Sequence, residues 1–137
     1  MKETDKAKSL VAAVRRKYKG PLTSKIRIGF EKDISKTIAF GKALESEGID
    51  ALIFHPRLHN QKFKSLADWS GVSEVKKALS IPVIGNGDIN SAEEAREKLR
   101  QSGADGVMIS RLSAVKPWIF RDIESLEEGG TETFKWN

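Results

Sequence analysis

Short apolar segments alternate with helical patterns along the whole chain, and this alternation restricts the possible folds more than any other feature. Four of the apolar segments have the length and composition of strands, near residues 22–28, 50–55, 81–85 and 105–110. A helical pattern precedes the first strand, and another follows each of the four. A helix that joins two strands carries the chain back to the end of the sheet where the first strand began, so the second strand runs parallel to the first. The sequence predicts an α/β fold built from four βα units.

Two architectures are compatible with four consecutive βα units: half of an eight-stranded TIM barrel, and an open doubly wound sheet. Polar side chains distinguish them. Lys25 and Arg27 lie on the face of the first strand opposite its aliphatic residues, and His55 and Arg57 do the same at the end of the second. A sheet that helices cover on both faces is apolar on both, whereas a barrel lumen can turn polar near its top. We therefore predict a (βα)4 half of a TIM barrel.

The length and composition fit one globular domain. The chain has 137 residues, of which 39% are hydrophobic; this is enough for a core but too few for a complete TIM barrel. We predict a single domain over residues 1–127 and a loosely ordered tail over 128–137. No apolar stretch reaches the length of about 20 residues that a membrane span requires, and the N-terminus lacks the apolar core of a signal peptide. A cytoplasmic protein without membrane contact is the resulting expectation.

The chain contains no cysteine. This excludes disulfides, thiolate metal sites and a cysteine that acts as nucleophile or acid. The two histidines, His55 and His59, are four positions apart in a predicted loop, with no third ligand fixed near them. We therefore expect no metal site.

The unusual polar residues fall at one end of the predicted strands. In or just beyond the carboxyl-terminal halves of the strands lie Lys25, His55, Arg57, Asn86, Asp88 and Arg111. Parallel α/β folds bind ligands at this end. The third strand leads into a turn, 85–88, whose glycines let backbone N–H groups approach a ligand, and Ser91 and Glu94 form a capping box that begins the next helix. Together with Ser110 and Arg111, this pattern indicates a phosphate-binding site.

Longer motifs point to a family. They are, in chain order, PLTSKIRIGF (21–30), IFHPR (53–57), Gln61 followed by ADW (67–69), EVKKALSIPVIGNGDINS (74–91), GADGVMISR (103–111) and PWIF (117–120). In this order they resemble the C-terminal half of the barrel of the tRNA-dihydrouridine synthases, a family of FMN enzymes. GADGVM recurs in many phosphate-binding barrels, but the combination of KIR, HPR, NGDI and PWIF is much more specific. The resemblance covers about residues 5–125.

The resemblance implies roles for individual residues. The cofactor-binding residues would be Lys25 at the flavin, His55 beside the isoalloxazine ring, Asn86, Gly87 and Asp88 at the ribityl and phosphate groups, and Ser110 and Arg111 at the phosphate. Arg57 and Gln61 match positions where the family approaches its substrate RNA. The chain departs from the family in having Pro56 in place of a glycine after the histidine, and Ser110-Arg111-Leu112 in place of Gly-Arg-Gly.

The implied activity is the flavin-dependent reduction of uridine to dihydrouridine in tRNA, with NADPH as the reductant of a complete enzyme. The family's catalytic cysteine, which protonates the uracil ring, comes from the other half of the barrel, and this chain has no evident replacement acid. We therefore assign no catalytic residue and expect the isolated chain to be inactive.

Two other functions are compatible with the sequence. A half-barrel leaves two strand edges uncovered, so the chain could be a non-catalytic FMN- or phosphate-binding module that forms a homo-oligomer, or that pairs with a missing N-terminal half-barrel. Alternatively, the net charge of +5 suits a basic RNA-binding module. The residues that would carry it are Arg57, His59, Lys62 and Lys64.

Overall fold

The computed structural model describes residues 3–60 and 66–127. The elements are α1 (Thr4–Lys17), β1 (Thr23–Gly29), α2 (Ile34–Ser46), β2 (Ala51–Leu58), α3 (Ser70–Ala78), β3 (Val83–Asn86), α4 (Ala92–Ser102), β4 (Gly106–Met108), α5 (Arg111–Val115) and α6 (Ile119–Glu127). The predicted tail over 128–137 and Gln61 lie outside the described residues.

The four strands form one parallel sheet in the order β1-β2-β3-β4. Each strand pairs with the next one along the chain, so the order never reverses. A doubly wound sheet reverses its strand order at a switch point, whereas a barrel adds each new strand on the same side. The predicted α/β fold with four βα units is therefore confirmed, and the topology is that of half a barrel.

Helices cover one face of the sheet. Leu52 and Phe54 of β2 are fully buried against this layer, together with Val72 and Val75 of α3. A second cluster joins α4 to α6 through Ile89, Ala92, Ala95, Ile109, Ile119 and Ile123. Lys25 and Arg27 lie on the opposite face of β1, where Lys25 is exposed and Arg27 is partly exposed. The first cluster thus lies behind the polar face, whereas Ile89 and Ile109 of the second cluster reach the carboxyl ends of the strands.

β2 is longer than the sequence indicates. It extends to Leu58, so that His55, Pro56 and Arg57 belong to the strand and not to the loop after it. A proline usually ends a central strand because it has no N–H to donate. Here the pairing with β3 ends at Phe54, while β1 continues alongside. The Pro56 carbonyl still accepts a hydrogen bond from Asp68 N–H at 3.1 Å.

Two further differences concern helices. α5 (Arg111–Val115) was not predicted, because five residues are too few to show a helical period. In α1, the predicted apolar side consists of Leu10, Val11, Val14 and Tyr18. Only Val11 packs against the core, whereas Leu10 is 66% exposed and Tyr18 is also exposed. None of the helices in the described part of the chain is long and apolar enough to span a lipid bilayer.

Candidate functional site

The carboxyl ends of the four strands surround a concavity of about 550 Å³. The predicted site residues that line it are Lys25, His55, Arg57, Asn86, Gly87, Asp88, Ser110 and Arg111. Arg27, which the sequence places on the same face as Lys25, lines it as well. The structure therefore brings together every predicted site residue that it describes.

Asn86, at the end of β3, connects the two outer strands across the floor of the concavity. Its Oδ1 accepts a hydrogen bond from Lys25 Nζ at 2.8 Å, and its Nδ2 donates to the Met108 carbonyl at 2.8 Å. The Nδ2 group also lies 3.4 Å from Ser110 Oγ. The amide orientation is set by these partners, since an ammonium can only donate and a carbonyl can only accept. Asn86 consequently fixes the position of the Lys25 amine.

Asp88 lies between two arginines. Its Oδ2 is 2.6 Å from Arg57 Nη2, its Oδ1 is 2.9 Å from Arg111 Nη2, and Oδ2 also accepts a hydrogen bond from Ala67 N–H at 2.7 Å. Burial raises the pKa of Asp88, but the Ala67 amide and the Arg57 and Arg111 guanidiniums outweigh it, so the pKa lies below its usual value. Asp88 is thus a carboxylate that orients two guanidiniums.

The two arginines differ in exposure. Arg57 is 2% exposed, and its guanidinium is held below the surface by Asp88. The side chain of Arg111 is 67% exposed and reaches the concavity from the start of α5. Arg111 is therefore the arginine that an anion can reach directly. Contact between Arg57 and RNA stays a prediction, and it would require the ion pair with Asp88 to open.

The glycines of the 85–88 turn make room for neighbouring side chains. A Cβ atom at Gly85 would lie 2.3 Å from Cζ3 of Trp69, and one at Gly87 would lie 2.8 Å from Cδ2 of His55. Gly87 also has φ +125°, a conformation that L-residues rarely adopt. Trp69 Nε1 donates to the Gly87 carbonyl at 3.0 Å. The space beside Gly85 is filled by an indole ring, so this glycine serves packing and not the approach of a ligand.

One of the two bonds of the predicted capping box is present at the start of α4, and the other is made by the residue before the N-cap Ser91. Ser91 Oγ accepts a hydrogen bond from Glu94 N–H at 3.1 Å, while Glu94 Oε2 accepts one from Asn90 N–H at 2.7 Å. Of these two donors, the Glu94 N–H belongs to the first turn of α4, whereas Asn90 precedes the N-cap Ser91. The cationic side chains that line the concavity are Lys25, Arg27, Arg57 and Arg111, and of these Arg57 is buried in its ion pair with Asp88.

His55 is a neutral group in this setting. It is 8% exposed, and burial together with the charges of Lys25, Arg27 and Arg57 lowers its pKa to about 4, against the opposing effect of Asp88. Its Nε2 atom is buried without a hydrogen-bond partner among the described residues. The pKa of Lys25 is also lowered, by burial and then by the charge of Arg27. The positive charge on this side of the site thus comes from Lys25 and Arg27, and not from His55.

The residues that depart from the family pattern lie in different places. Pro56 is buried on the helix side of β2, where a Cβ at Gly71 would be 3.8 Å from its own Cβ. Leu112 lines the concavity next to Arg111, and Ser110 directs its hydroxyl toward Asn86. Only the Ser110 and Leu112 changes therefore alter the lining of the site.

Within residues 3–60 and 66–127, no three His, Asp or Glu side chains are arranged to hold a metal ion.

The family profile and the related sequences that match this chain all point to one family. The profile of the dihydrouridine synthases (Dus) matches residues 1–135. The tRNA-dihydrouridine synthase B of Pasteurella multocida is 41% identical over 124 residues, which is 90% of this chain and 37% of that protein. The corresponding protein of Vibrio cholerae is 39% identical over 93% of this chain and 39% of its own length. The chain thus spans about a third of the length of these curated relatives.

Solved structures with the same fold have distant sequences. Mandelate oxidase superposes with a TM-score of 0.60 at 19% identity, over 90% of this chain and 50% of that one. The (S)-3-O-geranylgeranylglyceryl phosphate synthase from Thermoplasma acidophilum gives 0.57 at 19% identity, over 88% and 55%. At this identity the likeness establishes only the barrel-type fold. The profile match over almost the whole sequence shows that the chain belongs to the dihydrouridine synthase family.

Proposed function

We propose that this chain is the FMN-phosphate half of a dihydrouridine synthase barrel, in which Arg111 and Ser110 bind the cofactor phosphate and Asn86 and Lys25 contact the rest of the cofactor. The observation that carries the proposal is the convergence of these side chains on one concavity at the carboxyl ends of four parallel strands. Asp88 contributes by orienting Arg111 toward that concavity.

The residues present fit such a group. The exposed Arg111 guanidinium is suited to a phosphate, which accepts charge-assisted hydrogen bonds. The buried Nε2 of His55, which has no partner among the described residues, offers a polar contact to a molecule that fills the concavity. Bound FMN would supply the hydride chemistry. Because His55 is neutral near pH 7, Lys25 is the residue that would place positive charge beside the flavin.

The complete reaction would be the reduction of uridine to dihydrouridine in tRNA, with NADPH as the reductant and the cytoplasm as the location. The names of the relatives, tRNA-dihydrouridine synthase B, support tRNA as the substrate. The chain contains no cysteine to act as the acid that the family uses. We therefore expect the isolated chain to bind cofactor without reducing uridine.

A second candidate is a half-barrel that completes itself by association. β1 and β4 each have one neighbour in the sheet, and their outer edges carry backbone groups available for pairing. The exposed stripe of Leu10, Val14 and Tyr18 on α1 lies next in sequence to β1. These features favour either a second copy of the chain or an N-terminal half-barrel as the partner.

The test is a titration of the purified chain with FMN, followed by quenching of flavin fluorescence, with the oligomeric size measured on the same sample by light scattering. Saturable binding that is weaker in Arg111→Ala would support the cofactor site. Absence of binding by a well-folded chain would count against it. A monomer at micromolar concentration would exclude self-association and leave the N-terminal half of a barrel as the partner.

A further inference from the structure

A second concavity, of about 650 Å³, lies beside the first and is bordered by an exposed pair of aromatic rings. The centroids of Phe30 and His59 are 4.6 Å apart, with an angle of 48° between the ring planes. Phe30 is 59% exposed. Neither ring belongs to the proposed cofactor site, so the pair needs a separate explanation.

The local backbone holds the two rings together. The pairing of β1 with β2 shifts register between Arg27 and Gly29, and Gly29 has φ +109°. A bulge of this kind redirects the side chains that follow it. The Gly29 carbonyl then accepts a hydrogen bond from His59 N–H at 2.6 Å, which places the residue after β2 beside the residue after β1. The aromatic pair is thus a feature built by the sheet and not a chance contact between two loops.

The surroundings of the pair are positively charged. Lys25 and Arg27 line both concavities and form the ridge between them. Arg27 makes no ion pair with any residue in the described ranges. The acidic residues of the second concavity are compensated, since Glu31 pairs with Lys36, and Asp33 caps α2 by accepting hydrogen bonds from Ser35 N–H and Lys36 N–H. An anionic chain can therefore follow the cationic ridge from one concavity to the other.

We infer that Phe30 and His59 form a stacking platform for a nucleobase of the RNA substrate, with Arg27 contacting the adjoining phosphate. Exposed aromatic rings next to cations are the usual means of holding single-stranded RNA, because each base offers a π-face and each nucleotide a negative charge. A protein strand that pairs with the outer edge of β1 would cover the part of the concavity that residues 25–29 line. Phe30 and His59 lie beyond the ends of β1 and β2, so this pairing would not account for the exposed rings.

The inference rests on the proposed function, because it takes RNA as the substrate of the site beside it. The experiment measures binding of a fluorescently labelled single-stranded RNA of about 12 nucleotides by anisotropy. We expect Phe30→Ala to weaken binding about tenfold through the loss of stacking, and Phe30→Trp to retain it. Phe120→Ala is the matched control, since Phe120 is an aromatic residue of α6 that is 50% exposed and lines neither concavity, and we expect it to leave the affinity unchanged.

The salt dependence separates stacking from charge. Phe30→Ala should keep the slope of affinity against salt, whereas Arg27→Ala should reduce that slope by about one. Equal affinities for Phe30→Ala and the wild-type chain, or no RNA binding by the wild-type chain, would overturn the inference. A change in oligomeric size in Phe30→Ala without a change in RNA affinity would overturn it in favour of a protein contact.

Titration of the same variants with FMN distinguishes the two proposals. If the chain binds FMN but its affinity for RNA does not depend on Phe30, the proposed cofactor site is supported and the proposed stacking platform is contradicted. If RNA binding depends on Phe30 but the chain has no affinity for FMN, the stacking platform is supported and the proposed cofactor site is contradicted.

Discussion

Arg57 and Asp88 lie 31 positions apart in the sequence and form an ion pair of 2.6 Å beneath the surface of the concavity. Arg57 comes from β2, and Asp88 from the turn after β3. Asp88 in turn reaches Arg111 at the start of α5. One carboxylate thus joins the ends of three βα units, which explains how the site keeps its shape although its residues come from short strands and turns.

The first prediction concerns this ion pair. Asp88→Ala would leave Arg57 buried without its carboxylate, and we expect a loss of about 3–5 kcal/mol in the free energy of unfolding. Asp88→Asn, which keeps the shape and some hydrogen bonds, should lose less. Urea denaturation provides the measurement. Glu97→Gln is the control, because Glu97 pairs with Arg100 on the surface of α4 and its loss should not be measurable. Equal effects of Asp88→Ala and Glu97→Gln would contradict the assignment.

The second prediction concerns pH. The pKa of His55 is lowered from 6.5 to about 4 in the folded chain. As the pH falls below 6.5, the unfolded chain binds a proton that the folded chain does not, so stability is present above 6.5 and declines toward pH 4. After solvent screening we expect a loss on the order of 1–3 kcal/mol.

The prediction can be tested by measuring the midpoint of urea denaturation at several values from about pH 7.5 to about pH 4.5. Much of the decline in stability falls within this range. His55→Gln should flatten the decline. His59→Gln should keep the wild-type profile, because His59 is exposed. A decline of the same size in His55→Gln would assign the effect to other groups.

The third prediction concerns the turn. Gly87→Ala introduces a Cβ atom 2.8 Å from His55 Cδ2 at a residue whose φ is +125°. Gly103→Ala meets the positive φ alone, since nothing lies within 4 Å of its Cβ position. We expect Gly103→Ala to cost about 1–2 kcal/mol and Gly87→Ala to cost more. Thermal unfolding of the two variants gives the comparison, and a smaller loss for Gly87→Ala would mean that His55 and Ala67 move aside.

The fourth prediction concerns affinity for FMN. Arg111→Ala should weaken binding by roughly 1–3 kcal/mol, the value for a lost hydrogen bond to a charged group, and should leave stability nearly unchanged because the side chain is exposed. Arg100→Ala removes an equally exposed arginine far from the concavity and serves as the control. Isothermal titration with FMN makes the measurement. Equal affinities in the two variants would place the phosphate elsewhere.

The fifth prediction separates affinity from stability at Asn86. This residue is buried and bonded to both Lys25 and Met108. Asn86→Ala should therefore weaken FMN binding by roughly 1–3 kcal/mol and, unlike Arg111→Ala, should also lower the free energy of unfolding by roughly 1–3 kcal/mol. Denaturation and titration of the same preparation give both values. Loss of affinity without loss of stability would mean that the sheet does not depend on this link.

The order of elements followed from the sequence because it depends on local patterns. Apolar segments of strand length and the Ser91–Glu94 capping box carry their own signals. The end of β2 did not follow, since Pro56 reads as a strand breaker until the sheet shows that its pairing with β3 has already stopped at Phe54.

The composition of the site was predictable, but its bonding was not. Polar residues at the ends of the predicted strands indicate that the site lies at the carboxyl ends of the parallel strands. Which of them pair depends on the register between strands, such as the alignment of Phe54 with Gly85 that brings Arg57 near Asp88. The burial of Arg57 and the neutrality of His55 arise from this alignment. No property of either residue alone indicates them.

The bonds that shape the proposed phosphate end all join residues of this one chain, from Lys25 in β1 to Arg111 at α5. Asn86 and Asp88 hold most of these bonds, and they are two positions apart, at the end of β3 and in the turn that follows it. A change in the course of that one turn would therefore displace both ends of the concavity together.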